Sequence, residues 1–277
     1  MNNKVIAGIV TFNPDIKRLS ENLDALENER VKILIVDNGS KNIEDIQALS
    51  CNYECIEVLS LPENRGIAYG LLKIMEYAKD NRYLWVLTLD QDSIVCDGLI
   101  ENYMKYSGEK DVGAMTCIIN DRNYPEINGD VIIEARNVDA CITSGCFMNV
   151  EAYTHTHGYR EDMFIDFVDF DICYQLRKME YCILQVPFEG LIHEYGRGKK
   201  VAFMGKKLYI TNHPLWRKYY MAKNFCVLRH NFPEYISCTN NIKFELIMFV
   251  KSIFFEKDKI SSIKMIIKGI CDGLRYK

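Results

Sequence analysis

Within its first 90 residues the chain alternates four short apolar runs with stretches of helical period, and that alternation leaves few folds open. The runs are "VIAGIVTF" (Val5 to Phe12), "KILIVDNGS" (apolar until Asp37), "CIEVLSL" (Cys55 to Leu61) and "YLWVLTLD" (ending at Asp90). Between them, "PDIKRLSENLDALEN" reads as a helix with Pro14 near its first turn, and "GIAYGLLKIMEYAKDN" as an amphipathic helix. Strands apolar on both faces and separated by helices imply a parallel sheet covered on both sides. The expected class is α/β, with a mostly parallel central sheet, helices on both faces and further helices at the C-terminal end. Ligands in such sheets collect at the carboxyl ends of the strands. Asp37, "ENRG" (Glu63 to Gly66) and "DQD" (Asp90 to Asp92) all fall there.

Asp90 and Asp92 end an apolar strand with two like charges one residue apart. A shared divalent cation relieves that repulsion, and Mg²⁺ or Mn²⁺ would bring phosphate oxygens as further ligands. Acids in an exposed turn are the alternative. The chain has no GxGxxG after its first strand and no GxxxxGK[ST], so a dinucleotide fold and a P-loop lose their main support. Asp37 precedes Asn38-Gly39, a pair that turns easily and can present the carboxylate outward, although a cap or turn role also fits. Arg65, just before Gly66 and a helix start, suits an anion or a solvated surface equally.

At 277 residues the chain suits one large domain, or a domain with an appendage. A net charge of -4 gives no sign of nucleic-acid binding by the whole molecule. The 11 cysteines are odd in number, form no CxxC and sit partly in apolar runs (Cys117, Cys173, Cys226), as free thiols do. A strand-like run follows the first residues, with no signal-peptide pattern. No apolar segment approaches the ~20 residues that span a bilayer; "LIMFV" stops at Lys251.

The second half carries "NDRNYPEINGD" (Asn120 to Asp130), a loop by composition, and then "MFIDFVDFDICYQLRK", with Asp166, Asp169 and Asp171 among apolar neighbours. If "VDFDICYQLR" is helical, Asp166 and Asp169 lie near one face at its start, where carboxylates suit the helix dipole. His193 follows another strand-like run and precedes Arg197, Lys199 and Lys200, while His155 and His157 read as a surface pair.

In order along the chain, "VTFNP", "VDNGS", "NRG" and "LDQDS" resemble the nucleotide-sugar half of family 2 glycosyltransferases, which have the GT-A fold. With "SG", "MFIDFVDFDICYQLR", "HEYGRG" and "RKYYMAKN", the pattern is most similar to their bacterial rhamnosyltransferase branch, over about residues 4–230. The resemblance implies an inverting, metal-dependent, non-processive transferase. Its donor would be a nucleotide-diphospho-sugar, dTDP-L-rhamnose first, with a UDP-hexose, UDP-GlcNAc or UDP-galactofuranose as alternatives. Its acceptor would be a lipid-linked oligosaccharide or other glycan of cell-surface polysaccharide.

Carried over by position, Thr11, Asn13, Asp37, Asn64, Arg65, Gly66, Asp90 and Gln91 would bind the nucleotide sugar, with Asp37 at the base. Asp90, Asp92 and His193 would hold Mg²⁺ or Mn²⁺. Asp169 would be the general base, with Asp166 the alternate because Val168 stands where the broad family has Glu. Arg197, Arg217, Tyr219, Tyr220 and Asn224 would serve phosphate or acceptor; Lys223 replaces the branch's usual Arg. A sugar nucleotidyltransferase would need a glycine-rich loop where this chain has "TFNPD". A non-catalytic glycan-binding protein would have no use for the three acids together.

The expected domains are a catalytic domain over 1–235 (nucleotide-sugar half 1–118, acceptor half 119–235) and an amphipathic helical segment over 236–277. From Lys243 to Lys277 eight Lys/Arg stand against four acids, a net of +4. Ile260, Ile263, Ile267, Ile270 and Leu274 recur at helical spacing among Lys259, Lys264, Lys268 and Arg275. That pattern fits a helix on an anionic membrane, peripheral on the cytoplasmic face, or a helix packed on the catalytic domain or a second subunit.

Overall fold

The computed structural model describes residues 4–122, 132–193, 199–203, 206–210, 213–236, 238–255 and 258–276. Two compact units emerge: Met1–Asp162 with Val168–Glu194, and Met163–Phe167 with Tyr195–Lys277.

The first unit runs β1 (Val5–Thr11), α1 (Ile16–Asn28), β2 (Lys32–Asp37), α2 (Ile43–Ser50), β3 (Ile56–Ser60), α3 (Ile67–Asp80), β4 (Trp85–Asp90) and β5 (Ile94–Val95). It continues with α4 (Leu99–Met104), β6 (Val112–Asp121), β7 (Arg136–Val138), β8 (Cys146–Asn149), α5 (Val150–Thr154), α6 (Val168–Lys178) and β9 (Cys182–His193). The strands form one sheet in the order β3-β2-β1-β4-β8-β6-β9-β5, with β7 also on β9. Neighbours among the first four strands are parallel, as their helical crossovers require. β8 then runs antiparallel to β4 and β6, and β5 and β7 antiparallel to β9, which itself runs parallel to β6; the sheet is mixed in its second half.

The core lies under the first four strands and extends to β8. Leu19, Leu23 and Leu26 of α1 pack on Ile9, Ile35 and Leu87, and Phe147 is stacked between Trp85 and Tyr103, with ring centroids 5.0 and 4.9 Å away. Helix α1 starts later than its sequence suggests. Asp15 is the N-cap, its carboxylate accepting from the N–H groups of Lys17 (3.0 Å) and Arg18 (3.2 Å), so Pro14 stands ahead of the helix. Helix α2 gives no periodic signal because Ile46 is its one buried residue. Helix α6 begins at Val168, which leaves Asp166 outside it, in the left-handed region at φ 66°.

The second unit contains β10 (Lys199–Phe203) and β11 (Lys206–Ile210), an antiparallel pair, then α7 (Leu215–Asn231), α8 (Cys238–Phe255) and α9 (Lys259–Leu274). Helices α7 and α9 touch backbone to side chain. Gly269 faces the carbonyl of Tyr219 and the methyl of Ala222, where any Cβ would collide. Buried Lys218 donates to Ser262 across the same contact (2.8 Å), and burial pulls its pKa down. This packing leaves Ile260, Ile267 and Leu274 exposed among exposed Lys259, Lys264, Lys268 and Arg275. Leu246, Ile253 and Phe254 are also exposed on α8. No helix among the described residues is long and apolar enough to cross a membrane.

Candidate active site

Parallel register brings the ends of β1, β2 and β4 to one rim, pairing Thr11 with Asp37 and Val10 with Asp90. The loops that leave these ends are tied together by side chains. Thr11 Oγ1 donates to Asp37 Oδ1 (3.0 Å), and Ser40 donates to the same carboxylate through its N–H (2.9 Å) and its hydroxyl, so Asp37 is buried at 1% exposure. The N–H of Asn13 donates to Ser40 Oγ (2.7 Å), and that of Phe12 to Gln91 Oε1 (2.9 Å). Asn38 reaches the next loop, donating to Asn64 Oδ1 and Gly66 O (3.0 Å each) and accepting from the N–H of Arg65 (2.9 Å). Gly39, at φ 77°, is needed here: a Cβ would lie 2.7 Å from the backbone of Glu63.

Arg65 lies over the ring of Tyr69 (3.5 Å to the centroid), and its Nη2 donates to Glu161 Oε2 (2.6 Å). Both charges are exposed, so the pair contributes little stability and parts readily for another anion.

Asp90, Asp92 and His193 each offer a ligand atom, all within 4.8 Å of one another. Theirs is the one such group of three or more among the described residues. His193 Nε2 lies 3.8 Å from Asp90 Oδ2. Two carboxylates and an imidazole are a donor set that fits Mn²⁺ or Mg²⁺. β9 delivers the histidine: its carbonyl accepts from the N–H of Arg122 (2.9 Å), just beyond the β6–β9 pairing of Asp121 with His193.

Asp169 lies in the first turn of α6, half-buried, its Oδ1 accepting from the N–H of Phe170 (2.9 Å). Two residues on, Asp171 is buried beside Arg160 (3.6 Å) and Gln175 (2.6 Å); burial pushes its pKa up to about 6.

In the second unit, Asp166 sits in a run where Phe164, Asp166 and Phe167 all have positive φ. Such backbone costs ~1–3 kcal/mol per residue and persists only when its surroundings enforce it. Arg217 grips Asp166 through Nε (3.0 and 3.2 Å) and Nη2 (2.8 Å). Asn224, fully buried, donates to the carbonyls of Met163 (2.7 Å), Ile165 (2.8 Å) and Asp166 (3.0 Å). Tyr220 stacks on Phe164 (5.0 Å), and Tyr219 donates to Asp272 (2.9 Å). Arg197 lies outside the described residues. Sequence reasoning passes over Ser93 and Ser144, which back the acidic group; the "DQDS" and "SG" patterns contain both.

The mixed α/β sheet, with its polar rim at the strand ends and an acid-histidine group there, has the GT-A fold. Residues 7–140, just under half of the chain, match the model of glycosyl transferase family 2. The chain is 27% identical over 294 positions to the dTDP-rhamnosyl transferase RfbF of Shigella flexneri, spanning 99% of this chain and 97% of that one. Among solved structures it is similar to S. aureus TarS residues 1–349 (TM-score 0.59, 12% identity, 96% of this chain and 81% of that one). It is also similar to GalNAc-T7 with UDP, GalNAc and Mn²⁺ (TM-score 0.62, 12% identity, 98% of this chain and 56% of that one).

Proposed function

We propose that this glycosyltransferase moves L-rhamnose from dTDP-L-rhamnose to a hydroxyl of a glycan acceptor, inverting the anomeric centre, in the assembly of cell-surface polysaccharide. The convergence of Asp90, Asp92 and His193 at the strand-end rim carries the reading. The similarity to a dTDP-rhamnosyl transferase supports the donor. A UDP-sugar is the second reading, favoured by the likeness to TarS, also solved in complex with UDP-GlcNAc.

The roles follow from the chemistry each side chain can do. Thr11, Asn13, Asp37, Asn64, Gly66 and Gln91 shape the nucleotide pocket, and Arg65 exchanges Glu161 for the diphosphate. Asp169 takes the acceptor proton as the hydroxyl oxygen bonds to the anomeric carbon and the carbon–oxygen bond to the diphosphate breaks. Asp90, Asp92 and His193 would hold Mg²⁺ or Mn²⁺, which would supply positive charge against the departing diphosphate. Asp166 is occupied by Arg217, which favours Asp169 as the base. Arg217 holds the Asp166 carboxylate and Asn224 the carbonyls of 163, 165 and 166, and Tyr220 with Phe164 is the candidate acceptor surface. The exposed apolar and basic face of α9 would rest on an anionic membrane, where a lipid-linked acceptor is found. Hydrolysis and transfer measured over a panel of dTDP- and UDP-sugars test the donor. Turnover of UDP-sugars alone would replace rhamnose with the second reading.

A further inference from the structure

The two ring nitrogens of His193 have different neighbours. Nε2 faces Asp90, whereas Nδ1 lies 2.9 Å from Ser93 Oγ. Ser93 Oγ is in turn 2.6 Å from Ser144 Oγ, and Ser144 Oγ accepts from the N–H of Asp90 (3.2 Å). Ser93 is 0% and Ser144 1% exposed, so water does not substitute for either hydroxyl. A buried chain of hydrogen bonds thus begins on the imidazole of one candidate ligand and ends on the backbone of another. Its links come from separate loops, Ser93 just after β4 and Ser144 just before β8. The loop before β8 is fastened to β4 by the N–H of Gly145 donating to Thr88 O (2.9 Å) and by Thr88 Oγ1 donating to Thr143 O (2.6 Å).

A histidine ligates a cation through a nitrogen that carries no proton, so ligation by Nε2 requires the proton on Nδ1. Nδ1–H then donates to Ser93 Oγ, and the Ser93 hydroxyl donates to Ser144 Oγ. A hydroxyl both donates and accepts. The chain can therefore also run in reverse: Ser144 donates to Ser93, Ser93 donates to Nδ1, and Nε2–H points at the Asp90 carboxylate. The two arrangements keep the ring in place and differ in the direction of the two hydroxyls and in which ring nitrogen carries the proton. A carboxylate at position 93 would support only the first.

We propose that Ser93 and Ser144 are positioning residues of the cation site, supporting His193 Nδ1 in whichever tautomer the ion requires and holding its ring in register with Asp90 before and after the ion arrives. The proposal rests on reading Asp90, Asp92 and His193 as a cation site, and its test separates the two. Mn²⁺ alone is titrated into the full chain, free Mn²⁺ is followed by electron paramagnetic resonance, and imidazole coupling to bound Mn²⁺ is read by the pulsed method. Ser93→Ala should weaken Mn²⁺ binding about ten- to a hundred-fold and reduce the imidazole coupling. Ser93→Cys, close in size and a weaker hydrogen-bonding group, should fall between Ser93→Ala and the native chain. Ser144→Ala should weaken binding less than Ser93→Ala. Mn²⁺ affinity within twofold of native in Ser93→Ala, beside a clear loss in His193→Ala, would overturn the relay and leave the cation site standing. Native-like binding by His193→Ala would overturn both. Should Ser93→Ala not fold, undiminished binding in both Ser93→Cys and Ser144→Ala overturns the relay.

Discussion

The acidic group at the rim and the 163–167 segment gripped by α7 are both clusters of polar side chains around aspartates, yet they are built on opposite principles. In the second, Asp166 has Arg217, and the amide of Asn224 has three carbonyls. The Asn224 Oδ1 is buried without a hydrogen-bond partner, but the Asp166 charge is matched, and the bonds hold a backbone with positive φ at 164, 166 and 167 in place. In the first, two carboxylates and an imidazole turn toward one another. The hydroxyls behind them orient the imidazole without neutralising the carboxylates. On the proposed function, the carboxylates held together at the rim would take a cation, whereas a carboxylate already matched by a guanidinium is scaffold. The contrast separates residues of the same type: Asp90 belongs to the first kind and Asp166 to the second.

The sharpest way to break this contrast is to remove the cation. EDTA should abolish transfer and Mg²⁺ or Mn²⁺ should restore it, with Asp92→Asn weakening nucleoside-diphosphate binding when metal is present. Full activity in EDTA would remove the distinction at its root. Next come the two candidate bases. Asp169→Asn should lower turnover by ~10²-fold or more with donor binding intact, whereas Asp166→Asn should act mainly on stability, by about 1–3 kcal/mol, through loss of the charged bonds from Arg217. The reverse pattern, with turnover lost in Asp166→Asn and kept in Asp169→Asn, would exchange their roles. Asn224→Ala should likewise cost roughly 1–3 kcal/mol, read as a lower denaturant midpoint.

Acid titration should distinguish the two units by sign. Burial raises Asp171 to about 6 from 3.8, so its contribution to stability is fully present below 3.8 and lost as pH rises through about 6. Burial, and then the charge of Arg217, lower His213 to about 4 from 6.5, so its contribution is present above 6.5 and lost as pH falls through about 4. Relative to the native chain, Asp171→Asn should gain stability as pH rises from 4 to 6, and His213→Gln as pH falls from 6.5 to 4. Denaturant midpoints measured across that range would show parallel curves if neither group titrates so.

The smallest effect concerns α9. Changing Lys259, Lys264 and Lys268 to Gln should weaken cosedimentation with anionic liposomes by up to about 1 kcal/mol per residue and make it less sensitive to salt. A truncation would instead uncover the α7 face that Gly269 packs against. Liposome binding unchanged by the three substitutions would remove that face as the contact.

Much of this protein is legible in its amino-acid sequence. Apolar runs that need burial on both faces dictate parallel strands with helical crossovers. The polar residues ending those runs then meet at one rim, because parallel strands all end on the same side. Asp37, Arg65, Asp90 and Asp92 stand out on those grounds, and the ordered motifs point to the family. Short-range sequence carries no record of what tertiary contact alone creates. Periodicity cannot separate the start of α6 from Asp166, since the positive-φ backbone at 164, 166 and 167 is held by Asn224 on its carbonyls and by Arg217 on the Asp166 carboxylate, about 50 or more residues away. Nor can it join two serines 51 residues apart to His193, because a hydrogen bond forms only where folding has already set its partners within about 3 Å.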